Sequence, residues 1–175
     1  MNYYAKAYII YFNFAAVRQG FIISIILLAV LIGFSFSKTP QKITKEKLGE
    51  MLFFDPILSE DSSVSCASCH KPQFAFADTV AFSTGVHGKL ATRNTPSAMN
   101  MAARKALFWD GRATTLEQQA LGPIENPNEM NLPLAEAIKR LNRSKKYRHL
   151  FFSIFKSVPD KNNLAQAIAA YERTL

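Results

Sequence analysis

Residues 66–70 read Cys-Ala-Ser-Cys-His. This C-x-x-C-H stretch is the part of the sequence that decides the fold. The pattern is typical of covalent attachment of a c-type haem. Two thiols add across the two vinyl groups on one porphyrin edge, and two intervening residues let one helical turn present both sulfurs to that edge. The next residue then directs its imidazole at the iron. The sequence therefore predicts one haem c, bound through Cys66 and Cys69 with His70 as an iron ligand.

Other uses of two cysteines fit this sequence less well. A C-x-x-C redox dithiol of the thioredoxin kind needs a βαβ context, and no segment here alternates like a strand. A structural zinc site needs four ligands, which Cys66, Cys69, His87 and His149 would supply only by coincidence. A disulfide across two residues would be strained. Haem attachment is the interpretation that the pattern favours.

The N-terminal part of the chain has a different composition from the rest. Residues 1–37 contain two basic residues and no acidic one, and residues 21–34 read FIISIILLAVLIGF. A basic region before an apolar core, followed by the small residues Ser35 and Ser37, is typical of an export signal. The apolar stretch also approaches the roughly 20 residues that span a bilayer. We expect 1–37 to be a cleaved signal peptide or an apolar helix anchored in the cytoplasmic membrane.

Residues 38–175 have the length of one domain, which we expect to lie in the periplasm. The chain has 175 residues and a formal net charge of +8 at pH 7, and two of its basic residues lie in the N-terminal segment 1–37. A basic surface can steer an acidic redox partner, whereas nucleic acid is not an expected partner of an exported protein. The basic cluster at 139–148 is either a solvated face or a docking patch for such a donor.

The remaining pattern predicts an all-α fold with long irregular loops, that is, a cytochrome c-like haem domain. Thr44 is expected to cap a helix, Ser65 to begin the short cysteine helix, and Asp160 to cap the last helix. The segment 71–97 is predicted to be irregular, and such long loops are usually functional. Further helices are predicted at 97–107, 115–121, 133–141 and 145–155. Because the last amphipathic pattern is still running at Leu175, we expect a truncated chain or the first half of a longer protein.

Several separated stretches occur in the order found in one family. These are 48–78 (LGEMLFFDPILSEDSSVSCASCHKPQFAFAD), 83–100 (STGVHGKLATRNTPSAMN), 108–130 (FWDGRATTLEQQALGPIENPNEM) and 167–175 (AIAAYERTL). They strongly resemble the N-terminal haem domain of bacterial di-haem cytochrome c peroxidases. The superfamily includes the maturase that completes tryptophan tryptophylquinone in methylamine dehydrogenase. The resemblance covers nearly everything from residue 45 to residue 175.

The resemblance implies roles for three residues. In the family the N-terminal haem reacts with peroxide, and Trp109 resembles the tryptophan on the electron path between two haems. Gln119 and Glu129 look like the distal-pocket pair, in which a carboxylate moves a proton between the peroxide oxygens. Considered without the family, Trp109 is more simply a core residue, Gln119 a solvated helix position and Glu129 an acid at a helix start.

The resemblance also bears on two possible ligands and on a second domain. Asn94 looks like a side-chain ligand of the calcium ion held between the family's two domains, with a turn-forming asparagine as the alternative. His87, in a glycine-flanked loop, is near the position of a dissociable sixth iron ligand and is otherwise a solvated histidine. The family's second haem domain carries its own C-x-x-C-H, and this sequence has no second copy, so a missing domain or a partner protein must relay electrons.

The leading hypothesis is a haem peroxidase that reduces hydrogen peroxide to water with electrons from a small cytochrome or similar donor. One alternative is a non-enzymatic mono-haem electron-transfer cytochrome, in which Met99, Met101 or Met130 would be the sixth ligand. The other is a maturase-like oxidase that acts on a protein.

Overall fold

The computed structural model describes residues 43–175 and five residues of the N-terminal segment, Arg18, Gln19, Ile22, Ser24 and Ile25. The chain divides into two units, Met1–Lys42 and Ile43–Leu175. The predicted N-terminal apolar helix therefore falls almost wholly on residues outside the described ones. Within the described part of the chain, no helix combines the length and the apolar character needed to cross a bilayer.

The domain from residue 43 onward is helical, as the sequence predicts. Between residues 43 and 175 there is no strand, and β-type pairing is confined to three isolated bridges. The six helices are α1 (Lys45–Phe54), α2 (Cys66–Cys69), α3 (Leu116–Glu125), α4 (Leu134–Arg143), α5 (Lys145–Phe155) and α6 (Lys161–Glu172). Four short 3₁₀ turns punctuate the loops, at Pro56–Leu58, Pro72–Phe74, Val86–Gly88 and Met101–Ala103.

Capping side chains fix where the helices begin. The Thr44 hydroxyl accepts from the backbone N–H of Lys47 at 3.2 Å and starts α1. Asp160 accepts from the N–H groups of the first turn of α6, and Asn163 accepts in return from the Asp160 N–H at 2.8 Å. Such reciprocal caps satisfy backbone donors that a helix start would otherwise leave unpaired. Both starts lie where the sequence predicts them.

The core forms where α1 packs on α6, with α3 also in contact with α6 and α4 paired with α5. Leu48 and Leu52 of α1 and Leu164 and Ile168 of α6 are completely buried. The crossing is close at Gly49, since a Cβ there would lie 1.9 Å from the Ala167 carbonyl oxygen. α6 is therefore the central helix, and its last turn reaches the functional site described below.

The helix predicted at 97–107 is wrong, since only the 3₁₀ turn Met101–Ala103 forms there. Asn100 adopts a left-handed conformation with φ of 58°, and its N–H donates to the carbonyl of Leu175 at 3.1 Å. The Ala98 N–H donates to the carbonyl of Phe76 at 3.1 Å. Because these donors are engaged by distant segments, the intrahelical hydrogen bonds that the local pattern favours are not made.

The helix predicted to stop at Leu121 instead runs through Pro123 to Glu125. A proline near the end of a helix removes one hydrogen bond, and the Asn126 N–H still closes the turn onto the Gly122 carbonyl at 3.1 Å. Gly122 does not end the helix. It makes room for Phe108, whose Cζ would lie 2.9 Å from a Cβ at this position.

Candidate functional site

The C-x-x-C-H stretch forms the single-turn helix α2, followed directly by His70. Ser65 precedes the helix, and its N–H donates to the Ser68 hydroxyl at 3.0 Å. The His70 N–H donates to the Cys66 carbonyl at 2.8 Å and closes the turn. Cys66 and Cys69 are not joined in a disulfide. The turn therefore presents two free thiols and an imidazole to one cavity.

His70 is oriented through its second ring nitrogen. Its Nδ1 lies 3.0 Å from the Phe76 carbonyl oxygen, and since a carbonyl can only accept, Nδ1 carries the proton. Burial lowers the pKa of His70, against the opposing effect of the backbone groups of Phe76 and Pro96. The imidazole is therefore neutral, with Nε2 free as a metal ligand. Fixing one nitrogen by a carbonyl is how metal-ligating histidines are commonly held.

The two thiols lack the character of a reactive dithiol. Burial, and then the charge of Glu172, raises the pKa of Cys66 to about 12. Burial likewise raises the pKa of Cys69. Redox-active and metal-binding cysteines instead have lowered pKa values that favour the thiolate. The environment of the pair is consistent with thioether attachment.

The cavity beside α2 is lined by 27 residues and is partly open to solvent. Apolar side chains from α3, α6 and the 91–109 loop line it, together with the predicted site residues Cys66, Cys69, His70, Asn94, Trp109, Gln119 and Glu129. The structure thus brings seven of the eight predicted site residues to one cavity. No cluster of three or more potential metal-binding side chains exists in the described part of the chain.

Glu129 lies in the loop after α3 and is partly buried. Asn126 donates from its Nδ2 to Glu129 Oε1 at 2.6 Å. Burial raises the pKa of Glu129, against the lowering effects of Asn126 and Arg112. The backbone is held as well, because the Val86 N–H donates to the Glu129 carbonyl at 2.8 Å. A positioned carboxyl with a raised pKa is better suited to proton transfer than a freely solvated one.

Gln119 and Trp109 lie on the same cavity from different elements. Gln119 is in α3 and partly buried. Trp109 is 61 % exposed, and its Nε1 donates to the Asn94 carbonyl at 2.8 Å. An indole this exposed is not a core residue, so the simpler interpretation of Trp109 from the sequence is wrong. Its position leaves it accessible to a partner outside the cavity.

Asn94 and His87 contact different parts of the domain. Asn94 Nδ2 donates to the Val80 carbonyl at 3.2 Å. His87 does not line the cavity: its Nε2 lies 3.0 Å from Glu60 Oε2 and its Nδ1 lies 3.9 Å from Asp61 Oδ2. Calcium binding by Asn94 stays a prediction. Iron ligation by His87 also stays a prediction, and it requires the turn at Val86–Gly88 to leave Glu60.

Sequence reasoning missed Glu172, a residue of the last turn of α6 that lines the cavity. A signal was present, since Glu172 follows the buried Leu164 and Ile168 at intervals of eight and four residues. Those intervals place it on the same helix face as the core residues. An acidic residue on the core-facing side of a helix indicates a buried carboxyl, and such a carboxyl is a candidate for a functional role.

An all-α domain that presents a C-x-x-C-H turn to a cavity with largely apolar walls is a c-type cytochrome domain. Residues 43–175 match the family model described as di-haem cytochrome c peroxidase, and the chain belongs to that family. The resemblance seen in the sequence is thereby confirmed.

Relatives with known names come from both branches of the superfamily. The methylamine utilization protein MauG of Methylophilus methylotrophus is 40 % identical over 137 residues, covering 78 % of this chain and 41 % of that protein. The cytochrome c551 peroxidase of Nitrosomonas europaea is 38 % identical over 138 residues, covering 78 % and 41 %. The chain therefore spans about two fifths of the length of these relatives.

Solved structures agree with this fold. A crystal structure of a MauG-like protein associated with microbial copper homeostasis matches with a TM-score of 0.66 and 30 % identity, over 78 % of this chain and 45 % of the other. The di-haem peroxidase BthA of Burkholderia thailandensis matches with a TM-score of 0.66 and 32 % identity, over 79 % and 39 %.

Proposed function

We propose that this domain is the peroxide-reacting haem domain of a periplasmic peroxidase, which reduces hydrogen peroxide to water with electrons from a cytochrome c-type donor. One haem c would be held by Cys66 and Cys69, with His70 Nε2 on the iron. Bound haem supplies an iron that exchanges electrons with peroxide. The observation that carries the proposal is that Glu129, with its raised pKa, shares one cavity with the C-x-x-C-H turn.

Glu129 is the proton carrier in this proposal. Its ionised carboxylate takes a proton from one peroxide oxygen and returns it to the other, which then leaves as water. Asn126 holds Glu129 Oε1, so the second oxygen is free to face the substrate. The side-chain amide of Gln119, on the neighbouring helix, donates to peroxide or to a water and orients it.

Electrons would arrive on the side of Trp109, the exposed aromatic residue of the cavity wall. The di-haem family implies that a second haem domain, in the same polypeptide or in a partner, relays them from a small cytochrome. Asn94, whose backbone carbonyl accepts from Trp109, would contribute to a calcium site at that junction. Lys6 and Arg18 in the leader would remain in the cytoplasm, whether the apolar segment is cleaved or retained as an anchor.

The test is peroxide consumption by the haem-loaded chain together with a second haem domain and a reduced c-type cytochrome. The proposal predicts cytochrome oxidation that depends on peroxide and is lost on Cys66→Ser with Cys69→Ser. Full haem content with no peroxide consumption would contradict it.

A mono-haem electron carrier is the alternative that one observation favours. Met101 and Met130 both line the cavity, and Met130 is 3 % exposed, so a thioether is close to the predicted haem. A reduced haem that stays low-spin, with a sulfur-to-iron charge-transfer band in the oxidised state, would favour the carrier. A high-spin reduced haem would favour the peroxidase. The third candidate is a maturase-like oxidase, since MauG relatives are as similar to this chain as the peroxidases are. This candidate predicts turnover on a protein substrate.

A further inference from the structure

Glu172 is a buried carboxyl that the proposed peroxide chemistry does not use. It is 8 % exposed and lines the cavity from the last turn of α6. Its Oε2 is completely enclosed and has no hydrogen-bond partner. Among the described residues it is the one buried side-chain nitrogen or oxygen atom that lacks a partner. Buried polar atoms in folded proteins nearly always have a partner, so an orphaned one requires an explanation.

The surroundings disfavour a negative charge at this position. The neighbouring Arg173 forms an ion pair with Glu117 of α3, with 2.7 Å between Nη2 and Oε1. The C-terminal turn of a helix carries a partial negative charge that repels an anion. Burial raises the pKa of Glu172 to about 8, with Arg173 lowering it and Glu117 raising it by smaller amounts. These surroundings therefore favour the protonated carboxyl over the carboxylate.

Glu172 is also electrostatically linked to the haem attachment turn. Its charge is the second cause, after burial, of the raised pKa of Cys66. The other acids near this end of the domain are Glu117 on α3, Glu129 on the cavity wall and Glu50 of α1, which faces Tyr171. Glu117 and Glu50 are paired with Arg173 and Lys47. Glu172 is the acid of α6 that faces the cavity without such a partner.

We propose that Glu172 is a redox-linked proton site, which takes up a proton when the haem is reduced and releases it when the haem is oxidised. The inference rests on the haem attachment proposed above. One electron passes from an external reductant to the iron, and one proton passes from solvent to the Glu172 carboxylate. Reduction removes one positive charge from the cavity, so the ionised carboxyl loses electrostatic support and binds the proton more tightly.

The test is the midpoint potential of the haem-loaded full chain, measured in an electrochemical cell from about pH 6 to pH 9, a range that includes the pKa near 8. We expect the potential to fall with rising pH, by up to about 59 mV per tenfold change in proton concentration. Glu172→Gln should abolish most of this slope, whereas Glu50→Gln should retain it. If Glu172→Gln keeps the slope, the titrating group is another one, such as a haem propionate, and the proposal is wrong.

Proton uptake by the unmodified protein gives a second test that needs no variant. Reduction of the haem-loaded chain in weakly buffered solution with an indicator dye should consume a measurable fraction of a proton per haem near pH 7.5–8. No uptake at any pH in the range would overturn the proposal. Neither measurement uses peroxide, so a failure of the peroxidase proposal would be a separate result.

Discussion

At the scale of single residues, Asp78 holds the irregular loop that carries the Phe76 carbonyl. Its side chain is 2 % exposed and accepts from Lys71 Nζ at 2.6 Å, from the Ser83 hydroxyl at 2.7 Å and from the Thr79 N–H at 2.7 Å. Burial alone would raise the pKa of Asp78, but these donors outweigh it and hold the pKa at about 2. The loop around His70 therefore depends on an ionised carboxylate.

We predict that Asp78→Asn lowers the free energy of unfolding of the haem-loaded protein by about 2 kcal/mol at pH 7. A lowered pKa in the folded state stabilises the protein above the unfolded-state value of 3.8. That contribution is lost as the pH falls toward 2, so the difference between variant and wild type should shrink below about pH 4. Denaturant titrations at both ends of the range measure it. An unchanged difference, or an equal effect of the exposed Asp110→Asn, would contradict the prediction.

Trp109→Phe should slow electron delivery to the haem without a large change in the free energy of unfolding. Because the side chain is 61 % exposed, we expect the free energy of unfolding to change by no more than about 0.5 kcal/mol. Donor-supported turnover should fall, while the reaction of the domain's own reduced haem with peroxide stays unchanged. Equal losses in both reactions would place Trp109 in the peroxide step instead.

The haem-binding residues are the part of the site that the sequence predicts by itself, because the chemistry of attachment imposes a fixed spacing on them. The positions of Gln119 and Glu129 cannot be predicted from local spacing. Their presence at the cavity depends on how α3 and the loop after it fold back, and only the family resemblance indicated it. The contact of His87 with Glu60 could not be foreseen, since it joins positions 27 residues apart in irregular chain.

At the scale of elements, the crossing of α1 and α6 controls stability. A Cβ at Gly49 would meet the backbone of Ala167, and neither rigid helix can yield locally. We predict that Gly49→Ala lowers the free energy of unfolding by about 1–3 kcal/mol, the usual range for overpacking. Thermal unfolding of the haem-loaded protein measures this. The adjacent Glu50→Ala, on the partly exposed side, should cost far less, and equal effects would refute the assignment to the helix crossing.

The turn at Val86–Gly88 supports Glu129. A Cβ at Gly85 would lie 2.2 Å from the Asn128 carbonyl oxygen and 2.6 Å from that of Glu129. Gly85→Ala should therefore displace Glu129 and slow the reaction with peroxide at unchanged haem content. Gly88→Ala is the control, since its φ of +70° makes alanine strained while its Cβ meets nothing within 4 Å. If both variants react with peroxide at the same rate, the turn does not position Glu129.

Helix starts were predictable because a capping side chain acts within three residues, as Thr44 and Asp160 do. The failure at 97–107 has the opposite cause. There the backbone donors pair with Phe76 and Leu175, and no local pattern encodes such distant partners. The close approach of Gly122 in α3 to Phe108 is likewise a contact that no local pattern encodes.

At the scale of the whole molecule, the cavity is assembled from segments that are far apart in sequence. α2, the 91–109 loop, α3 and the last turn of α6 each contribute a wall. Apolar residues such as Leu107, Leu116 and Ile168 line it, so haem would cover surface that water would otherwise contact. The haem proposed above would account for the apolar walls, the attachment turn and the acid–base groups together.

The measurement that tests this account most directly is the reaction of the reduced, haem-loaded chain with hydrogen peroxide in a stopped-flow instrument, for wild type and Glu129→Gln. The glutamine keeps an oxygen that can accept from Asn126 but cannot carry the proton. We predict a rate lower by about 10²–10⁴-fold in the variant, and a wild-type rate that falls on acidification through the raised pKa of Glu129. Glu136→Gln, on the surface of α4, should match wild type. A Glu129→Gln protein that consumes peroxide at the wild-type rate, with the same pH dependence, would contradict the account.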